Sequence, residues 1–147
     1  MRSTHIGPIL MKKILYVFVI AILVVLTSCT PAGKLEVAIA AASAECPMVI
    51  DEYTTCIDIV TEGKEVVYKY LLNESKAGFE LPDMDSNEFR KIQKRIFLDE
   101  LKSNAKKDET VAELVKLCKE ANYNIVYRFI GSLTDYKYNI TVYAYEL

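Results

Sequence analysis

The sequence predicts an α+β fold, a two-layer sandwich of two antiparallel β-hairpins (about four strands) and about three helices, in the order helix, hairpin, helix, helix, hairpin. Two observations point there. Segments 55–72 and 123–147 are rich in Tyr, Val, Ile and Thr, alternate in polarity, and are each broken by a turn containing glycine. Segments 34–45, 85–104 and 111–121 instead repeat apolar residues every three or four positions. Four amphipathic strands need one face covered, and helices gathered on that face supply the cover.

A leader precedes this domain. Lys12 and Lys13 are followed by an apolar run from Ile14 to Leu26. It falls short of the roughly 20 residues that cross a bilayer and has the length of a secretory signal core. Leu26, Thr27, Ser28 and Cys29 then give a hydrophobic residue, two small ones and a cysteine. This pattern resembles the lipobox of bacterial lipoproteins. The resemblance implies a diacylglycerol on the Cys29 sulfur, cleavage before Cys29, and acylation of the new amino group. A thiolate suits the first step, and two or more acyl chains anchor firmly at about 0.8 kcal/mol per buried methylene. The competing reading is an ordinary signal peptide cut after Ser28. Met11 heads a leader of normal shape by itself, so residues 1–10 read as an over-extended start. The expected organisation is a signal peptide over 1–28, a lipidated Cys29 and short tether over 29–33, and one domain over 34–147.

Along the domain, Leu35, Ala38, Ile39 and Ala42 mark a first helix that Cys46-Pro47 stops. Strands at 55–61 and 64–72 meet at a Glu62-Gly63 turn. Thr55, Ile57 and Ile59 share one face of the first, and Val66, Tyr68, Tyr70 and Leu72 one face of the second. Residues 73–85 read as a loop, after which Asp85 and Glu88 form a capping box for a helix carrying Phe89, Ile92, Ile96, Phe97 and Leu101. Val111, Leu114, Val115, Cys118 and Ala121 mark the next helix, ending at Asn122. Tyr123, Ile125, Tyr127 and Phe129 share a face of the third strand, and a turn over 131–135 leads to a last strand over 136–147.

Residues 35–70, "LEVAIAAASAECPMVIDEYTTCIDIVTEGKEVVYKY", resemble small exported bacterial proteins and lipoproteins of unassigned function. The shared pattern is a short helix, Cys46-Pro47, the Ile50-Asp51 pair, a turn with Thr54 and Thr55, and a strand with Val66, Tyr68 and Tyr70. The resemblance implies an exported α+β domain and no particular activity.

Composition excludes several chemistries. Three of the eighteen basic residues and none of the twenty acidic ones lie before Cys29, so the processed chain carries a net charge of −5. That argues against a nucleic-acid partner, which favours clustered positive charge. The single histidine, His5, belongs to the leader, and a chain without it has no imidazole base for a serine or cysteine nucleophile. Cys46, Cys56 and Cys118 lack the close ligand pair of a zinc site. They admit one disulfide, in any of three pairings, or three buried thiols. Asp83, Asp85 and Asn87 begin like a calcium loop, but Glu88 and Lys94 stand where glycine and glutamate belong. Asp51, Glu52 and Asp58 are the nearest thing to paired catalytic carboxylates and read better as turn caps. No metal, no cofactor and no enzymatic activity are expected.

What remains points to binding. Lys91, Lys94, Arg95 and Lys102 line the polar side of the long helix, a solvated face by default and a contact for anionic headgroups if the domain rides close to a membrane. On the last strand Tyr136, Tyr138, Ile140, Val142 and Ala144 face the core, while Tyr143, Tyr145 and Leu147 end the opposite face. Val67 and Leu71 of the first hairpin also face away from the core, and together these residues predict an apolar patch that binds a protein. The expected function is a non-enzymatic binding or scaffolding lipoprotein of the cell envelope, its partner another envelope protein or a second copy of itself. The alternative is an inhibitor or immunity-type lipoprotein that plugs an envelope hydrolase with loop 73–85. Thr30, and not aspartate, follows Cys29, and no acidic cluster comes next. By resemblance to other lipoproteins this favours the outer membrane and its periplasmic side.

Overall fold

Among the described residues the first helix begins at Pro31. A computed structural model describes residues 30–147; the leader and Cys29 lie outside the described residues. Thr30 is extended and its hydroxyl accepts from the Gly33 amide at 3.0 Å, while Pro31 fills the first helical position, where no amide is needed. Helix α1 (Pro31–Ala44) therefore takes in residues 31–33, predicted as tether, as its first turn. Leu35, Ala38, Ile39 and Ala42 form its buried stripe. The Cys46–Pro47 peptide that follows is cis.

The sheet has five strands among the described residues, one more than predicted, in the order β1-β2-β3-β4-β5. The extra strand, β1 (Met48–Val49), is two residues long, too short for alternation to announce it. Strands β2 (Thr54–Glu62) and β3 (Glu65–Leu72) form the first hairpin, with Gly63 at a left-handed φ of 59° in the turn. Strands β4 (Asn124–Gly131) and β5 (Lys137–Val142) form the second. The hairpins join through their inner strands, β3 and β4, in parallel register, with Tyr68 opposite Tyr127 and Tyr70 opposite Phe129. A parallel pair needs a crossover of a dozen or more residues. Helices α2 (Glu74–Ala77), α3 (Leu81–Met84), α4 (Asn87–Ala105) and α5 (Glu109–Ala121) provide it.

Three departures from the expected pattern have physical causes. A β-bulge between Cys56 and Asp58 shifts the register, so Thr54, Cys56 and Ile59 face the core and Ile57 does not share that face. The α4 cap is Ser86, whose hydroxyl accepts from the Phe89 amide at 3.1 Å. Asp85 instead takes both Nε and Nη2 of Arg90 and the Tyr136 hydroxyl. Helix α4 buries Gln93, Phe97 and Leu101 and leaves Ile92 at 45 % exposure. Gln93 is admitted to the core because its Oε1 accepts from the Tyr138 hydroxyl at 3.2 Å.

The core lies between the sheet and helices α1, α4 and α5. Aromatic rings stack across the strands at 5.9 Å (Tyr68–Tyr127), 5.5 Å (Tyr70–Phe129) and 5.1 Å (Phe129–Tyr138). Phe97 closes the layer from α4, 4.6 Å from the Tyr127 ring. Among the described residues no helix is long and apolar enough to cross a membrane.

Candidate protein-binding surface

The last strand stops at Val142 and does not run to the C-terminus. Tyr143 stays extended, and residues Ala144–Glu146 then close into a 3₁₀ turn. Local donors and acceptors explain the turn. The Glu146 carboxylate accepts from the Tyr143 amide at 2.8 Å, and the Ala144 amide donates to Asn124 Oδ1 at 3.0 Å. Ala144 is buried and Leu147 packs against the core, so both ends of the turn are held.

This anchoring leaves two tyrosines outside. Tyr143 is 41 % exposed and Tyr145 84 %, and their rings stack at 5.5 Å with planes 7° apart. Lys94 reaches over from α4, its Nζ 4.9 Å from the Tyr143 ring centroid and 2.9 Å from Glu146 Oε2. Burial alone would raise the Glu146 carboxyl. The Tyr143 amide, Lys94 and Lys102 outweigh it and hold the group below its ordinary value. The result is an exposed, ordered aromatic pair beside the basic face of α4, where Lys91, Arg95 and Lys102 also stand in solvent. Large amphipathic rings that are already held in place lose little entropy on binding a protein.

Val67 and Leu71 do not join this surface. Both lie on the sheet face away from the core, Val67 fully buried beside Val126 and Leu71 half-buried beside Ile130. Between them runs a charged row. Arg128 donates to Glu62 at 3.2 Å through each terminal nitrogen and through Nε to Asn139 at 3.0 Å, while Lys69 pairs with Glu62 at 3.5 Å. Extending β5 to Leu147 merged the two regions in the sequence pattern; the 3₁₀ turn separates them.

The other singled-out residues are in structural use. Asp51 caps its own turn, accepting from the amides of Tyr53 at 2.8 Å and Thr54 at 2.9 Å. Asp58, re-aimed by the bulge, accepts from the Ser43 hydroxyl at 2.7 Å and ties α1 to β2. Segment 73–85 is no protruding loop, for it forms α2 and α3 around a buried carboxylate that the sequence did not single out. Glu74, 2 % exposed, accepts from the amides of Leu81 at 2.6 Å, Leu133 at 2.8 Å and Thr134 at 2.9 Å, and from the Thr134 hydroxyl at 3.0 Å. Cys46, Cys56 and Cys118 are free thiols, and burial pushes Cys118 up to about 12.

No family model matches the chain, and no curated protein does. Solved structures share its fold. An assumed secreted protein from Pseudomonas aeruginosa superposes with a TM-score of 0.57 at 17 % identity, covering 79 % of this chain and 91 % of that one. The pilotin of the Vibrio vulnificus type 2 secretion system superposes with a TM-score of 0.50 at 13 % identity, covering 79 % of this chain and 94 % of that one.

Proposed function

We propose that this chain is a lipid-anchored, non-enzymatic protein of the bacterial cell envelope that holds another envelope protein through the Tyr143–Tyr145 pair. The observation that carries the reading is that pair: two stacked, exposed rings on a turn pinned at both ends, with cationic side chains alongside. The lipobox-like leader supports the envelope location, and Thr30 after Cys29 supports the outer membrane facing the periplasm. A lipid on Cys29 would be attached two residues before α1, with no slack, so the domain would stand against the membrane. The fold shared with a secretion-system pilotin agrees with a partner from a secretion apparatus. Cations beside the rings favour a partner segment with acidic and apolar side chains. Segment 73–85, folded into α2 and α3, offers no protruding loop for an inhibitor to insert.

The test places a photoreactive residue at position 145 and another at Asn139, on the far sheet face, in the full chain. A discrete crosslinked product from position 145 alone, abolished by Tyr143→Ser, supports the reading. Equal products from both positions, or none, refute it. Mass spectrometry of the protein from native envelopes tests the anchor: a terminus at Cys29 without acyl mass would refute that part.

A further inference from the structure

Two of the three thiols of the domain meet. Cys46 follows the end of α1, and the short β1 carries the chain back along β2, with Met48 opposite Cys56. Cys46 stands two residues before Met48, so this register brings its thiol into the neighbourhood of Cys56. Each also lies against a carbonyl, Cys46 Sγ 3.6 Å from Ala42 O and Cys56 Sγ 3.7 Å from Asp58 O. Cys46 is half-buried and Cys56 fully buried, so Cys46 is the more accessible of the two. Cys118 sits in the core stripe of α5.

We propose that Cys46 and Cys56 form a disulfide when the chain meets a disulfide oxidant, stapling the first helix to the sheet. The Cys46 thiolate attacks one sulfur of the oxidant's disulfide and releases the other as a thiol. Cys56, giving up its proton, then attacks the Cys46 sulfur of the mixed disulfide and expels the second oxidant thiol. Two protein thiols thus lose two electrons and two protons, and the oxidant's S–S bond becomes two thiols. The staple has a mechanical meaning. Helix α1 starts two residues after Cys29 and is held to β2 by the Ser43–Asp58 hydrogen bond; the disulfide would make that junction covalent. The inference does not depend on the proposed partner surface or on the lipid.

The experiment treats the reduced full chain in detergent with oxidised glutathione, then denatures, alkylates and maps the thiols. Cys46 and Cys56 share one tryptic peptide, 35–64, and Cys118 lies in another, so the state of Cys29 does not enter. Expected is peptide 35–64 unalkylated and lighter by two hydrogens, with Cys118 alkylated, together with a Tm higher by roughly 5–10 °C. Cys118→Ser should give the same peptide 35–64, and Cys46→Ser should lose the Tm gain. Full alkylation of peptide 35–64, glutathione retained on Cys46, or a bond to Cys118 would each overturn the proposal.

Discussion

Replacing Glu74 by glutamine tests the clamp that holds the crossover to the second hairpin. Its carboxylate spans 60 residues of sequence, receiving Leu81 from the start of α3 and Leu133 and Thr134 from the β4–β5 turn. Glutamine keeps the shape but presents an NH₂ where one oxygen accepted, so at least one buried amide faces a donor. A buried donor left unsatisfied costs about 1–3 kcal/mol, and the bonds that remain lose their charge. The expected destabilisation is about 3 kcal/mol, a large fraction of a small domain's stability. With an unfolding entropy of about 2.1 cal/mol/K per residue over this domain, that lowers Tm by about 12 °C. The pH dependence gives a second readout. Burial would raise the Glu74 carboxyl, but the hydrogen bonds from Thr134, Leu81 and Leu133 outweigh it and hold the group below its ordinary value. A carboxyl lowered by folding contributes fully above its unfolded value of about 4.3, and that contribution is lost as pH falls through the folded value. Urea unfolding followed by circular dichroism at pH 7 and pH 3.5 measures both effects. The Glu74→Gln difference should be full at pH 7 and shrink at pH 3.5. A difference under about 0.5 kcal/mol at pH 7, as for an ordinary surface change, or one independent of pH, would refute the clamp.

Further outcomes follow from neighbouring geometry. A Cβ on Gly131 would stand 2.6 Å from Glu74 Cδ and from Thr134 Oγ1, so Gly131→Ala should cost about 1–3 kcal/mol, and less than additively with Glu74→Gln in a double-mutant cycle. Ser86→Ala should cost about 1 kcal/mol in thermal unfolding through loss of the α4 cap. Asp85→Asn should cost about 2 kcal/mol, because it weakens the Arg90 pair and a hydroxyl contact. The same change should lower the Tyr136 phenol in an ultraviolet titration, since the hydrogen bond to Asp85 is the largest cause of its raised value, ahead of burial. Phe97→Ala, which removes a fully buried ring between Tyr127 and Phe129, should cost about 3–5 kcal/mol by urea unfolding.

Local order within the chain was enough to locate most elements. Leu35, Ala38, Ile39 and Ala42 announced α1, Asn122 in left-handed conformation ends α5 where predicted, and Val66, Tyr68, Tyr70 and Leu72 share the core face of β3 as their alternation required. Such signals are readable because a helix or strand relates each residue to neighbours at most four positions away. The tyrosines of the candidate surface were found by the same alternation, although the strand assigned to them ends before they begin.

Tertiary structure alone decided the rest, because it depended on partners far along the chain. Nothing local to β3 or β4 sets them side by side in parallel; the packed crossover does. Nothing local to Gln93 or Glu74 marks either as buried; Tyr138 gives the first a donor, and residues 133 and 134 surround the second. Three cysteines admitted three pairings on paper, and the return of β1 along β2 brought two of them together. Hydrogen bonds from the Ala144 amide to Asn124 and from the Tyr143 amide to Glu146 turned the terminal tyrosines away from Val67 and Leu71 and made them a separate surface.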